Sequence, residues 1–142
     1  MQRYLTVDPQ YGNRLAEVCL WSEWPDRWGP DEGIDLVARE HDRGDYWAIQ
    51  CKFYDPAHTL QKANIDSFFT ASCKHFQTTD GEHNFSQRLI IATTDKWSKH
   101  VEQALEHQTI PVTRLWFKDL TTSPVDWSQF SLVKIEDMHF QV

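Results

Sequence analysis

Asp35, Gln50 and Lys52 are the residues of this chain whose types and spacing can do chemistry together. They lie in the stretch 31–53, DEGIDLVAREHDRGDYWAIQCKF, where two apolar runs, Gly33–Arg39 and Tyr46–Phe53, flank a polar turn (His41–Asp45) containing a glycine. That is the pattern of a β-hairpin. Side chains alternate along a strand, so Gln50 and Lys52 share one face, and Ile49, Cys51 and Phe53 share the other, which reads as core. A carboxylate, an amide oxygen and a lysine on adjacent strands fit metal-assisted cleavage of a phosphodiester. Mg²⁺ is a hard cation that selects oxygen ligands, and once bound it polarises phosphate and makes water more acidic. A lysine can orient that water or stabilise charge developing at phosphorus. The same residue types also decorate the solvent face of strands in α/β domains without such activity, so the context has to decide.

The elements that must hold these three residues can be read in order. Arg3-Tyr4-Leu5 reads as the tail of a helix and Asp8-Pro9 as a turn. Ala16–Trp24 alternates loosely and reads as a strand, with a helix from Pro9 through Leu20 as the alternative. Pro25–Asp31 is a Pro/Gly loop leading into the hairpin. Asp55–Thr59 is a connector, and Leu60–His75 carries apolar residues at helical spacing. Gln77–Asn84 is polar, with a turn at Asp80-Gly81. Gln87–Thr93 suits a buried strand, and Thr94 or Asp95 can cap a helix over Lys96–His107. Ile110–Phe117 is a further strand entered at a proline, Lys118–Leu120 starts a short helical turn, and the apolar residues of 124–142 can pack over an edge. Strand, hairpin, helix, strand, helix, strand predicts an α/β layer fold with a mixed central β-sheet flanked by helices.

Composition bounds the rest. The chain has 142 residues, 40% hydrophobic and 25% charged, which suits one globular domain with a real core. No apolar run approaches the roughly 20 residues of a membrane span, and the N-terminus lacks the apolar core of a signal peptide, so a cytoplasmic protein is expected. Cys19, Cys51 and Cys73 are an odd, widely spaced set that reads as buried free thiols, and Cys73 and His75 find no second half of a zinc site. A formal charge of −7 argues against a freestanding high-affinity nucleic-acid binder. The acids, however, crowd into 23–45, either as a solvated loop face or as carboxylates gathered around a metal.

Basic residues on or beside the later elements (Lys62, Lys74, Arg88, Lys96, Lys99, His100) are candidates for phosphate contacts or an ordinary solvated surface. Thr93 and Thr94 close a strand at the same end of the sheet as the three chemical residues. There they can cap the next helix or sit where its amides hold a phosphate. Trp21, Trp47 and Trp116 read as core. Trp24 and Trp28 either pack beneath the loop before the hairpin or meet DNA or a neighbouring domain.

Asp31-x-Gly33-Ile34-Asp35-Leu36-Val37 followed by Ala48-Ile49-Gln50-Cys51-Lys52-Phe53 resembles the nuclease core of the PD-(D/E)XK superfamily. Within it the pattern resembles the Mrr-like restriction endonucleases, where Gln-x-Lys commonly replaces Glu-x-Lys. Leu20–Pro25, Ile65–Phe68, Ala92-Thr93-Thr94-x-x-Trp97-Ser98 and Val125–Trp127 are similar to the N-terminal nuclease domain of type ISP restriction-modification enzymes and related predicted helicases. The likeness spans roughly residues 4–127.

The resemblance implies a Mg²⁺-dependent endonuclease, with Mn²⁺ able to substitute, that hydrolyses double-stranded DNA in a restriction enzyme. It implies Asp35 as principal metal ligand, Gln50 as second ligand or water-positioning group, and Lys52 as catalytic lysine. Asp31 is either an accessory acid at the metal or a loop aspartate capping the turn. DNA contacts are expected at Thr93, Thr94, Lys96 and Lys62. The resemblance also implies that residues 1–142 form a single nuclease domain near the front of a longer chain that carries helicase or translocase and methyltransferase domains. Two copies meeting would break both strands. Family members carry an upstream helix whose glutamate helps bind metal. That helix is expected to lie before this sequence, and Glu17, the nearest acid, reads as a strand residue. A catalytically weak module of the same fold, clamping DNA or docking on a translocase, is the rival expectation.

Overall fold

Apolar residues, Leu36–Ala38 on one arm and Tyr46–Ile49 on the other, bury most of the central hairpin. The computed structural model describes residues 5, 9–29, 33–41, 44–55 and 57–116. A single helical turn, α1 (Pro9–Gly12), leads into strand β1 (Leu15–Leu20) and a 3₁₀ turn (Trp21–Glu23). The hairpin follows as β2 (Leu36–Glu40) and β3 (Tyr46–Lys52). Next come α2 (Lys62–Ser72), a small hairpin of β4 (Phe76–Thr78) and β5 (Gly81–His83), β6 (Phe85–Ala92), α3 (Lys99–Glu106) and β7 (Val112–Trp116). The main sheet has the order β1-β2-β3-β6-β7. β1, β2 and β3 pair antiparallel, and β6 and β7 add on in parallel. This is the mixed α/β sheet the element order predicts.

The sheet is covered on both sides, so its central strands are apolar throughout rather than alternating. Leu36, Ala38, Trp47, Ile49, Cys51, Leu89 and Ile91 pack with Leu5, Tyr11 and β1 on one face. Val37, Ala48 and Ile90 pack against Ile65, Phe68 and Phe69 of α2 and Val101 of α3 on the other. At the C-terminal end of β3 stand the polar Gln50, itself buried, and the half-buried Lys52.

Three departures from the sequence reading have local causes. The strand expected over Ala16–Trp24 stops at Leu20, because Trp21 and Trp24 both enter the core and a three-residue spacing fits a 3₁₀ turn rather than a strand. The polar stretch 77–84 forms, with Phe76, the hairpin β4–β5. It is hidden in the sequence because Phe76 is its one apolar residue, paired across the hairpin with His83, whose ring stacks on it with centroids 5.9 Å apart. The helix expected from Lys96 begins at Lys99. Trp97 bridges to Leu60, with Leu60 N–H donating to Lys96 O and Ser98 N–H to Leu60 O. That keeps 96–98 extended, and Ser98 rather than Thr94 or Asp95 caps the helix, its Oγ accepting from Val101 N–H at 3.2 Å. Arg3-Tyr4, Asp31, Lys118–Leu120 and the tail 124–142 lie outside the described residues.

Arg88 also departs from expectation. Only 1% exposed, it has no surface to offer a phosphate. Its guanidinium closes the C-terminal end of α2, donating to Ser72 Oγ (2.7 Å), Phe69 O (3.3 Å) and Cys73 Sγ (2.8 Å), and also to Gln108 Oε1. A cation beside the last carbonyls of a helix is favoured by the helix dipole, while burial pulls the guanidinium pKa down. Of the three free cysteines, Cys51 is buried and Cys19 half-buried, but Cys73 is exposed. Trp24 and Trp28 resolve to packing: Trp28 lies 4.9 Å from Trp21 and 6.1 Å from Phe76, ring centre to ring centre. Among the described residues no helix is long and apolar enough to cross a membrane.

Candidate active site

Gln50 and Lys52 sit at the end of β3, and the β2–β3 register brings Asp35 to them. Leu36 pairs with Ile49, so Asp35, one residue earlier, falls opposite Gln50. Its N–H donates to Ile49 O at 2.9 Å and its carbonyl accepts from Trp21 N–H at 3.0 Å. The alternation of faces breaks here, since Ile34 packs on the α2 side and Leu36 on the other. Past the last β2–β3 pair, Asp35 Oδ2 accepts from Cys51 N–H at 2.7 Å. The carboxylate thus takes the place of a ladder carbonyl. The Cys51 thiol is pushed well up, first by burial and second by the Asp35 charge, and its side chain packs into the core with Ile49 and Ile91.

Gln50 is 2% exposed. Its Nε2–H donates to Gly33 O at 2.9 Å, which fixes the amide so that Oε1 is the opposite oxygen. That Oε1 is buried with no hydrogen-bond partner among the described residues. A buried orphan acceptor is costly and calls for an explanation. A hard oxygen-seeking cation between it and the neighbouring carboxylate suits the donor chemistry. Among the described residues no group of three or more His, Cys, Asp or Glu side chains could hold a metal. The pair here is one carboxylate and one amide, and Asp31 is outside the described residues.

Gly33 is a site residue the sequence reading passed over. Its φ is +115°, and a Cβ there would lie 2.9 Å from Phe68 N and 2.8 Å from Ser67 Oγ. The backbone must come this close to α2 to present its carbonyl to Gln50. A glycine two residues before a candidate acid was the available signal. Gly33→Ala is expected to destabilise the fold by about 3 kcal/mol, combining left-handed strain with overpacking against helix backbone. A urea-unfolding midpoint equal to the parent's would refute this.

The other expected residues divide by position. β6 runs parallel to β3, so Thr93, Thr94 and Lys96 lie at the site end, as does Lys62 at the start of α2. Lys62 and Lys96 are exposed, and Lys62 pairs with Asp66 at 3.1 Å. Thr94 is buried, its hydroxyl donating to His58 O at 2.6 Å and accepting from Lys96 N–H at 3.1 Å. Lys74 and Arg88 lie at the far end. Glu17 is midway along β1 and pairs with Arg39 at 3.6 Å, away from Asp35. A cavity of about 270 Å³ opens near the ends of β6 and β7, where Arg114 pairs with Glu102 at 2.6 Å and lies over Trp97.

A five-stranded mixed sheet flanked by helices is the α/β architecture of restriction endonucleases. Residues 6–137 match a family model for a restriction endonuclease catalytic domain of the Mrr type, and the chain belongs to that family. Among solved structures, the ATP-dependent type ISP restriction-modification enzyme LlaBIII bound to DNA superposes with a TM-score of 0.77 at 30% identity, over 95% of this chain and 8% of that one. The MspJI restriction endonuclease in complex with a 27-mer oligonucleotide gives a TM-score of 0.45 at 14% identity, over 78% of this chain and 23% of that one. No curated protein matches. The chain thus spans 8% of the length of LlaBIII.

Proposed function

We propose that this chain is a Mg²⁺-dependent endonuclease module that hydrolyses double-stranded DNA as part of a larger restriction enzyme directed against phage. Family membership supports the endonuclease class. The observation that carries the metal-dependent reading is the buried, unpartnered Gln50 Oε1 beside Asp35. Asp35 and Gln50 would hold the cation, with Asp31 as accessory acid and Mn²⁺ able to replace Mg²⁺. Such a cation supplies Lewis-acid polarisation of a phosphodiester and makes nearby water more acidic. Lys52 presents an ammonium with three donors, able to orient water or stabilise charge on the phosphate.

Lys62 and Lys96 would contact the DNA backbone. Thr93 and Thr94 act beneath them, since their hydroxyls bond within the protein. A net charge of −7 makes this module a weak binder on its own. Residues 1–142 are read as one nuclease domain whose affinity and site choice come from translocase and methyltransferase domains of the same longer protein, in the cytoplasm. With one such site in the module, two copies meeting on DNA would cut both strands.

Nicking of supercoiled plasmid tests the reading, using both the isolated chain and the full-length protein with ATP. Lys52→Ala is expected to lower the Mg²⁺-dependent rate by roughly 10²-fold or more, and EDTA to abolish it. Equal nicking by parent and Lys52→Ala would sink the nuclease reading. DNA binding without cleavage, even in the full-length protein, would favour the rival, a binding or docking module.

A further inference from the structure

Where the backbone ladders on either edge of β3 run out, side chains take over. On the β2 edge, Cys51 N–H goes to Asp35 Oδ2. On the β6 edge the ladder runs as far as Thr93 N–H, which donates to Lys52 O at 3.1 Å. Beyond it, one hydroxyl serves both backbone groups of Tyr54: Thr93 Oγ1 accepts from Tyr54 N–H at 2.7 Å and donates to Tyr54 O at 2.5 Å. Thr94 then ties the following loop at His58 O. Lys52 is therefore bracketed by Cys51 and Tyr54, each fastened to a different neighbour.

We propose that Thr93 is a positioning residue for Lys52. The proposal rests on the reading of Lys52 given above. A strand that outruns its neighbours leaves unpaired N–H and C=O groups and frays. Here the threonine hydroxyl, donor and acceptor in one group, closes that edge and keeps the backbone beneath Lys52 straight. Its only proton goes to Tyr54 O, which leaves none to donate to a DNA phosphate. Valine keeps the side chain's outline and removes the hydroxyl, and serine keeps the hydroxyl.

Two readouts on the full-length protein decide the matter. The first is NMR of lysine amines labelled by reductive ¹³C-methylation, which reports the surroundings of Lys52 with or without cleavage. Thr93→Val is expected to shift or broaden the Lys52 signal and leave that of Lys62 in place, and Thr93→Ser to leave both. Thr93→Ala repeats the test if valine disturbs folding, as judged by the melting curve. The second is steady-state cleavage: Thr93→Val should lower kcat by roughly 10²-fold with KM for DNA unchanged, and Thr93→Ser should restore it. An unmoved Lys52 signal in both hydroxyl-free variants would overturn the proposal. Failure of the nuclease reading looks different: Lys52→Ala then cleaves like the parent, while the Lys52 signal still answers whether Thr93 positions it.

Discussion

Asp35→Asn is expected to lower plasmid cleavage by roughly 10³-fold or more while leaving the fold in place, since several kcal/mol of transition-state stabilisation depend on a bound cation. Asparagine keeps the shape of the side chain and an oxygen for Cys51 N–H, now held at 2.7 Å by Asp35 Oδ2. What it removes is the negative charge. The loss should therefore show in divalent-cation binding and in rate, with the thermal unfolding midpoint in EDTA nearly unchanged. Asp35→Ala is a harsher change. It leaves the Cys51 amide, on a buried strand, without an acceptor, at a cost of about 1–3 kcal/mol, and so confounds rate with stability. Calorimetric titration of Mg²⁺ or Ca²⁺ into parent and Asp35→Asn separates the two effects. An Asp35→Asn protein that cleaves at the parent's rate would remove Asp35 from the chemistry.

How much of this was legible beforehand depended on whether the signal was local. The hairpin was legible because two apolar runs and a glycine-bearing turn are enough to register Leu36 against Ile49, and that register alone brings Asp35 to Gln50. The helix over Lys62–Ser72 was legible from its apolar spacing, though its ends were not, since Leu60 is taken by a bridge to Trp97. Arg88 looked like a surface cation because nothing in Gln87–Thr93 reveals that the end of α2 will lie over it. What Gly33 and Thr93 hold in place was hidden for the same reason. Each acts through a neighbour distant in sequence, Gly33 against Phe68 and Thr93 against Tyr54. Sequence carried the chemistry-bearing residues, and tertiary contact supplied the groups that hold them.

Gln50→Glu separates the cation reading from a purely structural one. The two ends of the glutamine amide are used differently, for Nε2–H holds Gly33 O at 2.9 Å while Oε1 has no partner among the described residues. Glutamate has no donor when ionised, so one of its oxygens would face the Gly33 carbonyl in a position only 2% exposed. Its charge would also lie beside that of Asp35. Without a divalent cation, burial and like-charge repulsion both oppose it, and a loss of roughly 3 kcal/mol, or about 10 °C in melting temperature, is expected. With Mg²⁺ the balance reverses in part, because a second carboxylate binds a hard cation more strongly than an amide does and ligand binding to the folded state alone raises its stability. The Mg²⁺-induced rise in melting temperature should therefore be larger for Gln50→Glu than for the parent, although the variant starts lower. If Gln50 were only a strut for Gly33, the variant would start lower and Mg²⁺ would not lift it beyond the parent's response. A melting series in EDTA and in rising Mg²⁺, on both proteins, tells these outcomes apart without requiring either to cut DNA.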